Sequence, residues 1–221
     1  MTAALMPHPR LLSLEGGEGA GKTTALNAIR GCLQAHGHEV VVTREPGGTP
    51  LAERIRAMVL TPDAAIAAEP LAAEAELLLV FAARAQHVRQ VIQPALQRGA
   101  YVLTDRFTDS SYAYQGGGRG LDAGWIADLE RRVVGLLPGL TLLLDVDVDV
   151  GRARASGRDE APDRIENEQD AFFHRVRAVF RERAQRDPGR FAVVDAGQPQ
   201  PRVAADVVAR VEQYMQHGEG A

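Results

Sequence analysis

The sequence has almost no lysine. Of its 25 basic residues, 24 are arginine, and the one lysine is Lys22. A guanine-binding Asn-Lys-x-Asp motif therefore cannot be present, because Lys22 lies between Gly21 and Thr23. This absence argues against a switch protein that hydrolyses GTP.

The sequence also has only one cysteine, no excess of positive charge and no long apolar run. The single cysteine, Cys32, excludes an internal disulfide and any Cys-x-x-Cys metal or redox motif. The net charge is −4, which is not the basic balance typical of nucleic-acid binding. No run of 18 apolar residues predicts a membrane-spanning helix. We therefore expect a cytoplasmic protein whose partners are small molecules rather than nucleic acid or membrane.

A length of 221 residues fits one α/β domain, and no Pro/Gly/Ser-rich linker divides it. Residues 1–10 contain Pro7 and Pro9 and no long apolar stretch. They are predicted to be a flexible extension rather than a signal peptide or an anchor. Residues 11–217 are predicted to form the single domain.

Lys22 lies in a complete G-x-x-x-x-G-K-[ST] motif. An apolar run precedes the motif and a helical pattern follows it, which is the order that a phosphate-binding loop requires. Its glycines let backbone N–H groups surround phosphates, Lys22 reaches the β- and γ-phosphates, and Thr23 offers a hydroxyl to Mg²⁺. The motif predicts that ATP and Mg²⁺ bind here. The predicted cofactor-binding residues are Gly16, Gly17, Glu18, Gly19, Ala20, Gly21, Lys22, Thr23 and Thr24.

Five apolar strands alternate with helices along the chain. The strands are predicted at 11–14, 39–43, 101–105, 140–146 and 191–195, and the helices at 23–35, 51–60, 69–98 with a break or end near Pro94, 121–137, 150–155, 172–186 and 202–216. Several strands are continuous apolar runs, typical of a parallel sheet covered on both faces. The predicted fold class is α/β: a P-loop NTPase with a doubly wound five-stranded parallel sheet and a short lid. Ligands should then bind at the carboxyl ends of the strands, where glycine-bearing loops over 16–23, 44–49 and 105–119 converge.

Two charged residues end the third predicted strand. Asp105 stands where a Walker-B carboxylate would be, and Arg106 can neutralise a second phosphate. Alone, the two would be an ordinary ion pair that closes a strand. Beside a phosphate-binding loop, a role in catalysis is favoured.

The segment 152–166 contains four arginines and four acidic residues, interrupted by Gly157 and Pro162. Such a segment is either a solvated surface loop or a mobile lid. In a phosphotransferase the lid is favoured, because a closing loop can bring arginine to the transferred phosphoryl group while it excludes water.

Three further motifs follow the phosphate-binding loop. They are Arg44-Glu45-Pro46-Gly47-Gly48-Thr49, then Asp105-Arg106-Phe107 with Ala113-Tyr114-Gln115-Gly116-Gly117, then Asp163-Arg164-Ile165-Glu166. Together, from about residue 11 to 213, they resemble the bacterial thymidylate kinases. The resemblance implies transfer of the γ-phosphoryl group of ATP to dTMP, giving dTDP and ADP with Mg²⁺. It also implies a homodimeric cytoplasmic enzyme of dTTP biosynthesis.

The resemblance assigns roles to individual residues. Arg56 and Arg106 would hold the dTMP phosphate, and Tyr114 would exclude a ribose 2′-hydroxyl by a steric clash. The implied catalytic residues are Lys22, Asp105, Arg106 and Arg158. The implied substrate-binding residues are Glu45, Arg56, Phe81, Arg84, Arg106, Ser111, Tyr114 and Gln115, among which Arg84, Ser111 and Gln115 would contact thymine.

Some assignments stay open at this point. Members of the family that this chain resembles carry the catalytic arginine either in the phosphate-binding loop or in the lid. The loop contains no arginine here, so the resemblance implies the lid-arginine type; Arg158 is the best candidate, with Arg154 and Arg164 as alternatives. The family's usual aromatic position, four residues before Arg84, is Val80 here, and Phe81 follows it; Phe81 either stacks on thymine or belongs to the core.

The ligands of Mg²⁺, the surface of the dimer and the identity of the phosphate acceptor also stay open. Glu18 and Glu166 either bind Mg²⁺ through water or pair with nearby arginines. The segments 121–137 and 69–98 are the predicted dimer surfaces. A P-loop kinase for another acceptor, such as dUMP, AMP or shikimate, is disfavoured only through the resemblance.

Overall fold

The centre of the molecule is a parallel β-sheet of five strands. The computed structural model describes residues 5–157 and 162–218, in which the strand order is β2-β3-β1-β4-β5. The bounds are β1 Pro7–Gly16, β2 Val40–Arg44, β3 Tyr101–Asp105, β4 Leu137–Asp145 and β5 Phe191–Asp195. All four neighbouring pairs are parallel. The predicted five-stranded parallel sheet is confirmed.

The first strand starts earlier than predicted. It begins at Pro7 rather than Leu11, and Pro7 pairs with Leu137 of β4. The register shifts between His8 and Leu12, across Pro9, which has no N–H to donate to the ladder. The prediction of a flexible extension over residues 1–10 is thus wrong for 7–10, because the long β4 strand offers them a partner; residues 1–4 lie outside the described part of the chain.

Helices cover both faces of the sheet. They are α1 Lys22–Ala35, α2 Pro50–Leu60, α3 Ala64–Ala67, α4 Ala73–His87, α5 Gln93–Gln97, α6 Thr108–Ser111, α7 Ala123–Leu129, α8 Val148–Ser156, α9 Asp170–Arg186 and α10 Gln200–Gly218. Segments with wider, π-type turns continue α4, α6 and α7 over Val88–Ile92, Tyr112–Gly118 and Glu130–Val134. Within the two described ranges, no helix combines the length and apolar composition needed to cross a membrane.

The predicted helix over 69–98 is divided. It begins at Ala73, widens over Val88–Ile92 and continues through Pro94 to Gln97. Proline cannot donate to the carbonyl four residues before it, and its ring collides with that carbonyl in a regular α-helix. A wider turn directly before Pro94 relieves this conflict.

The segment after β3 is helical where a loop was predicted. Thr108–Ser111 forms α6, and Tyr112–Gly118 continues as π-type turns in spite of three consecutive glycines. Those glycines lie against neighbouring side chains: a Cβ on Gly118 would come within 2.4 Å of the Phe172 ring. Tertiary packing against α9 therefore overrides the low helix propensity of glycine.

The alternation of side chains along β1 separates two cores. Leu12 and Leu14 pack against α1 and α10 with Ile29 and Val207. Leu11 points to the other face, where it packs in a cluster with Phe81 of α4. Each helical layer thus covers one face of the sheet, as in other doubly wound folds.

A buried ion cluster anchors the segment after β3. Asp109 of α6 is fully buried and accepts two hydrogen bonds from Arg190, at 2.7 and 3.1 Å, and one from Arg183 of α9, at 2.5 Å. Burial disfavours its charge, but the two arginines outweigh burial and hold the pKa of Asp109 below its usual value. The cluster fastens α6 to α9 and to the start of β5, and so fixes the elements that frame the carboxyl edge of the sheet.

Candidate active site

A cavity of about 1000 Å³ lies at the carboxyl edge of the sheet. Its walls come from the phosphate-binding loop, α2, α4, the segment after β3 and residues 163–166. Of the residues that the sequence predicted for the site, it is lined by Glu18, Gly19, Ala20, Gly21, Lys22, Thr23, Thr24, Glu45, Arg56, Arg84, Asp105, Arg106, Ser111, Tyr114 and Gln115. Gly16, Gly17 and Phe81 do not line it, and Arg158 lies outside the described residues. Segments far apart in sequence thus meet at the predicted edge.

The phosphate-binding loop needs glycine for both space and conformation. Gly19 has a φ of +67°, and a Cβ there would lie 2.0 Å from the carbonyl oxygen of Gly151 in α8. Gly21 has a φ of +84° and directly precedes α1. The loop therefore packs tightly on α8 and points the N-terminus of α1 at the cavity, which favours an anion there.

Three cations face the cavity near this loop: Lys22, Arg56 and Arg106. Lys22 makes one long hydrogen bond, 3.5 Å to the carbonyl oxygen of Gly17, and its pKa is lowered by burial and then by Arg106. The pKa of Arg56 is lowered in the same way, by burial first and then by Arg44. Arg106 disfavours the positive charge of both, so an anion entering the cavity would relieve this repulsion. The pKa of Arg106 itself is raised in spite of burial, by Tyr114 and then by the acidic groups around it.

Arg106 is held in an uncommon backbone conformation. Its φ is +69°, in the left-handed region that residues other than glycine rarely adopt. Its guanidinium group donates to Gly16 O at 3.0 Å, Ser110 Oγ at 3.2 Å and Glu18 Oε1 at 3.1 Å, and lies 4.8 Å from the Tyr114 ring centre. Such conformations persist when surrounding contacts determine them, and they cluster at functional sites.

A buried carboxyl group that the sequence did not single out lies beneath Arg106. Glu15, the last side chain of β1 before the glycines, accepts from Phe107 N at 2.8 Å and Ser110 Oγ at 2.6 Å. Burial, followed by the charge of Asp109, raises its pKa from 4.5 to about 7. Ser110 therefore bonds to both Glu15 and Arg106 and links the ends of β1 and β3.

The same edge offers oxygen atoms for a divalent cation. Asp105 Oδ1 is buried and has no hydrogen-bond partner, and Asp105 and Thr23 both line the cavity. In the described ranges no cluster of three or more His, Cys, Asp or Glu forms a metal cage. This donor set fits Mg²⁺, which keeps several waters and binds through one or two protein oxygens plus phosphate.

A buried arginine also lines the cavity. Arg84 of α4 is 2% exposed and donates to Glu45 Oε2 at 2.5 Å, Ser111 Oγ at 2.9 Å and Phe107 O at 3.2 Å. Glu45 also accepts from His87 Nδ1 at 2.9 Å. Burial works to raise the pKa of Glu45, but Arg84 and His87 together lower it. The arginine is charged, paired and fixed before any ligand binds.

Phe81 does not contact the cavity. It is buried in the cluster that also contains Leu11 and Phe107, and its ring lies 4.7 Å from the Arg84 guanidinium carbon. Val80 lines the cavity instead. In this structure the helix turns Val80 toward the cavity and Phe81 into the core, which is the second of the two alternatives for Phe81. A contact of Phe81 with thymine stays a prediction.

Residues of the segment after β3 also line the cavity. Tyr114 is 5% exposed and donates to Glu18 Oε1 at 3.4 Å. Gln115 donates from Nε2 to Glu76 Oε1 at 2.8 Å. Glu76 is a buried carboxylate of α4 that no sequence pattern singles out, because its partners are far away along the chain.

The described lid residues are engaged with the body of the protein. Arg154 donates to the carbonyl oxygens of Ala196 and Gly197 at 2.7 and 3.1 Å. Arg164 donates to Val59 O at 2.7 Å and to Glu76 Oε2. The first part of the predicted lid, up to Ser156, belongs to α8 rather than to a loop.

Comparisons with known proteins agree with this arrangement. The family model named Thymidylate kinase matches residues 14–207. Proteins named thymidylate kinase from Pseudomonas putida and Pseudomonas fluorescens are 53% and 54% identical over 210 residues, which is 95% of this chain and 98% of each relative. The crystal structure of thymidylate kinase from Ehrlichia chaffeensis has a TM-score of 0.73 and 31% identity, and the match covers 93% of this chain and 100% of that one.

The buried Glu15 predicts a pH dependence of stability. Its folded pKa is raised, so between about pH 4.5 and 7 the folded protein holds a proton that the unfolded chain has lost. The contribution of Glu15 to the free energy of unfolding therefore falls by up to about 3 kcal/mol as the pH rises through that window. Above pH 7 this contribution does not change further. Glu15→Gln mimics the protonated form and should remove this loss.

The measurement is urea unfolding of wild type and Glu15→Gln from pH 5 to pH 8.5. The unfolding free energy of wild type minus that of the variant should fall between pH 5 and 7 and then level off. A difference independent of pH would show that Glu15 does not titrate in this window. Other ionisable groups are common to both proteins and cancel in the difference.

Proposed function

The chain belongs to the thymidylate kinase family and transfers the γ-phosphoryl group of ATP to dTMP, and we propose that the cavity at the carboxyl edge of the sheet binds both nucleotides. The observation that carries this assignment is the lining of the cavity. It combines Lys22, Arg56, Arg106 and the N-terminus of α1, which we call the phosphate end, with the buried Arg84, Ser111 and Gln115, which we call the base end. Such a lining suits the phosphates of ATP together with the phosphate and base of dTMP.

ATP would bind at the phosphate-binding loop. The backbone N–H groups of 17–23 and the start of α1 would surround its β- and γ-phosphates, and Lys22 would reach them as a point charge. Thr23 and the unpartnered Asp105 Oδ1 would hold Mg²⁺ or its waters. When bound, the metal neutralises phosphate charge and orients the transferred group.

The phosphate of dTMP would bind to Arg106 and Arg56. Both line the cavity, and Arg106 is already oriented by Gly16 O and Glu18. Guanidinium groups match phosphate with two parallel donors, which fixes its direction as well as its charge. A phosphate oxygen of dTMP is already anionic at neutral pH, so attack on the γ-phosphoryl group needs no strong general base.

The nucleoside would occupy the base end of the cavity. Arg84, Ser111 and Gln115 would contact thymine, and Tyr114 would lie where a ribose 2′-hydroxyl would clash. Their own hydrogen bonds set these side chains before the nucleotide enters. Catalysis then depends on positioning and electrostatic stabilisation, without a covalent intermediate.

The test of this assignment is ADP release from ATP and Mg²⁺, with dTMP, dUMP, UMP, AMP, GMP and no acceptor measured in parallel. We expect fast turnover with dTMP, slower turnover with dUMP, and little with UMP because of Tyr114. A preference for another monophosphate, or equal ADP release without an acceptor, would contradict the assignment of the base end.

Arg158 is the proposed catalytic arginine of the lid. Arg154 and Arg164, the alternatives, already donate to protein carbonyl and carboxylate groups. Charge builds up on the transferred group in the transition state, so Arg158→Ala should lower kcat by about 10²-fold or more with little change in the KM for dTMP. Steady-state kinetics of Arg158→Ala and Arg154→Ala measure this.

The matched variant Arg154→Ala should change kcat only a few-fold. If it, rather than Arg158→Ala, causes the large loss of kcat, the catalytic role belongs to Arg154. An effect of Arg158→Ala on KM alone would mean that this arginine binds the ground state only.

A cytoplasmic homodimer completes the proposal. The resemblance implies a dimer, and α2 and α4, which pack together, expose Leu51, Met58 and Leu78 by 41–51%. Exposed apolar side chains on adjacent helices favour this face as the contact between protomers. Of the three, only Leu78 lies in the predicted 69–98 surface, whereas Leu51 and Met58 belong to α2. The predicted 121–137 surface and the cytoplasmic location stay predictions.

Sedimentation tests the dimer. The mass of wild type from sedimentation should be twice the 23.8 kDa of one chain. Leu78→Glu should lower this mass toward that of one chain, because the new charge would be buried in the contact. The control Val193→Glu changes a side chain of similar exposure on β5, at one edge of the sheet, and should leave the dimer intact. Equal behaviour of the two variants would place the contact elsewhere.

A further inference from the structure

A buried carboxylate lies behind the base end of the cavity without lining it. Glu76 of α4 is fully buried and accepts from Gln115 Nε2 at 2.8 Å, Arg119 Nε at 3.1 Å and Arg164 Nη2 at 2.5 Å. We propose that Glu76 is a positioning residue for base selection, because it decides which end of the Gln115 amide faces the nucleotide. The proposal rests on the proposed function, in which Gln115 contacts thymine.

The orientation follows from the chemistry of the two groups. An amide has a donor end and an acceptor end of nearly equal size, so packing alone does not orient it. Glu76, bonded by two guanidinium groups, is a carboxylate and can only accept. It therefore takes the NH₂ end of Gln115, and the opposite geometry would place two acceptors against each other.

The acceptor end is then left for the ligand. Gln115 is 3% exposed and lines the cavity, and no donor bonds to its Oε1 in the part of the chain that the structure describes. The neighbouring Arg84 offers donors only. The cavity thus presents donors beside an acceptor at its base end.

This pattern separates pyrimidines by their pairing edge. Thymine has an N3–H donor flanked by carbonyl acceptors, whereas cytosine has an N3 acceptor beside an amino donor. Gln115 Oε1 would accept from thymine N3–H but would repel cytosine N3. A site built to pair with a substrate N–H can reject an analogue that lacks it by a large factor, because its buried polar group is left unpaired.

The deciding variant is Glu76→Gln, which keeps the size of the side chain but offers both a donor and an acceptor. Gln115 could then present either end to the base. We compare kcat/KM for dTMP with kcat/KM for 5-methyl-dCMP, which keeps the phosphate, the deoxyribose and the methyl group and changes only the pairing edge. The dTMP preference should fall about tenfold or more, while kcat for saturating dTMP changes by less than about threefold.

Two further variants separate amide orientation from a general structural role. Arg119→Gln removes an ion pair of Glu76 but leaves the bond to Gln115, so the dTMP preference should stay within about twofold of wild type. If Arg119→Gln lowers the preference as much as Glu76→Gln does, the proposal is overturned. Gln115→Met removes the oriented amide itself and should lower the preference even if Glu76→Gln fails to fold; an unchanged preference would overturn the proposal.

The outcomes distinguish this inference from the proposed function. If wild type does not phosphorylate dTMP, both the proposed function and the inference about Glu76 are overturned. A second outcome overturns the role of Glu76 alone. In that outcome, wild type phosphorylates dTMP and rejects 5-methyl-dCMP, and Glu76→Gln keeps the same dTMP preference within about twofold.

Discussion

The backbone turn at Arg106 joins β3 to the central strand β1 at the carboxyl edge of the sheet. Its N–H donates to Leu14 O and its guanidinium group donates to Gly16 O, so β3 is bonded to β1 and to the start of the phosphate-binding loop. Parallel strands end at one edge of a sheet, which brings the two loops together. The left-handed φ costs about 1–3 kcal/mol, and the hydrogen bonds of this residue offset it. The turn therefore sets the position of Arg106 next to the phosphate-binding loop, where the proposed function places the two phosphate groups.

Charge is distributed unequally between the two ends of the cavity. At the base end, the cation Arg84 is matched by the buried Glu45, and a buried pair of this kind is stable only when its remaining donors are also bonded. At the phosphate end, Lys22 and Arg56 have pKa values lowered by burial and by neighbouring arginines. Arg84 is thus paired without a ligand, whereas an anion would relieve the repulsion that acts on Lys22 and Arg56. This difference suits the proposed site, in which the base is selected by directed hydrogen bonds and the phosphate by charge.

The sequence predicts the sheet well and its surroundings less well. The strands at Tyr101–Asp105 and Phe191–Asp195 agree at both ends, because continuous apolar runs mark buried strands. The helical turns over Tyr112–Gly118 were missed, since contacts with α9 override the local preference of glycine. The residues of the phosphate-binding loop were predicted from motif spacing, whereas Arg84, Ser111, Tyr114 and Gln115 were predicted only through the family resemblance. Glu15 and Glu76 were not predicted, because their partners lie tens of residues away and leave no local pattern.

The unequal use of lysine and arginine has a physical reason in this site. Arg84 and Arg106 each donate to three fixed acceptors, which their planar forks reach in one geometry. A lysine could not hold three such directions from a flexible stem. Lys22 makes only one long bond, 3.5 Å to Gly17 O, and so keeps its ammonium group available. In the proposed reaction the charge would move between the β- and γ-phosphates of ATP, and a compact point charge could follow it where a fixed fork could not. Arginine therefore suits positions that must be set in advance, and lysine the one position that must adjust.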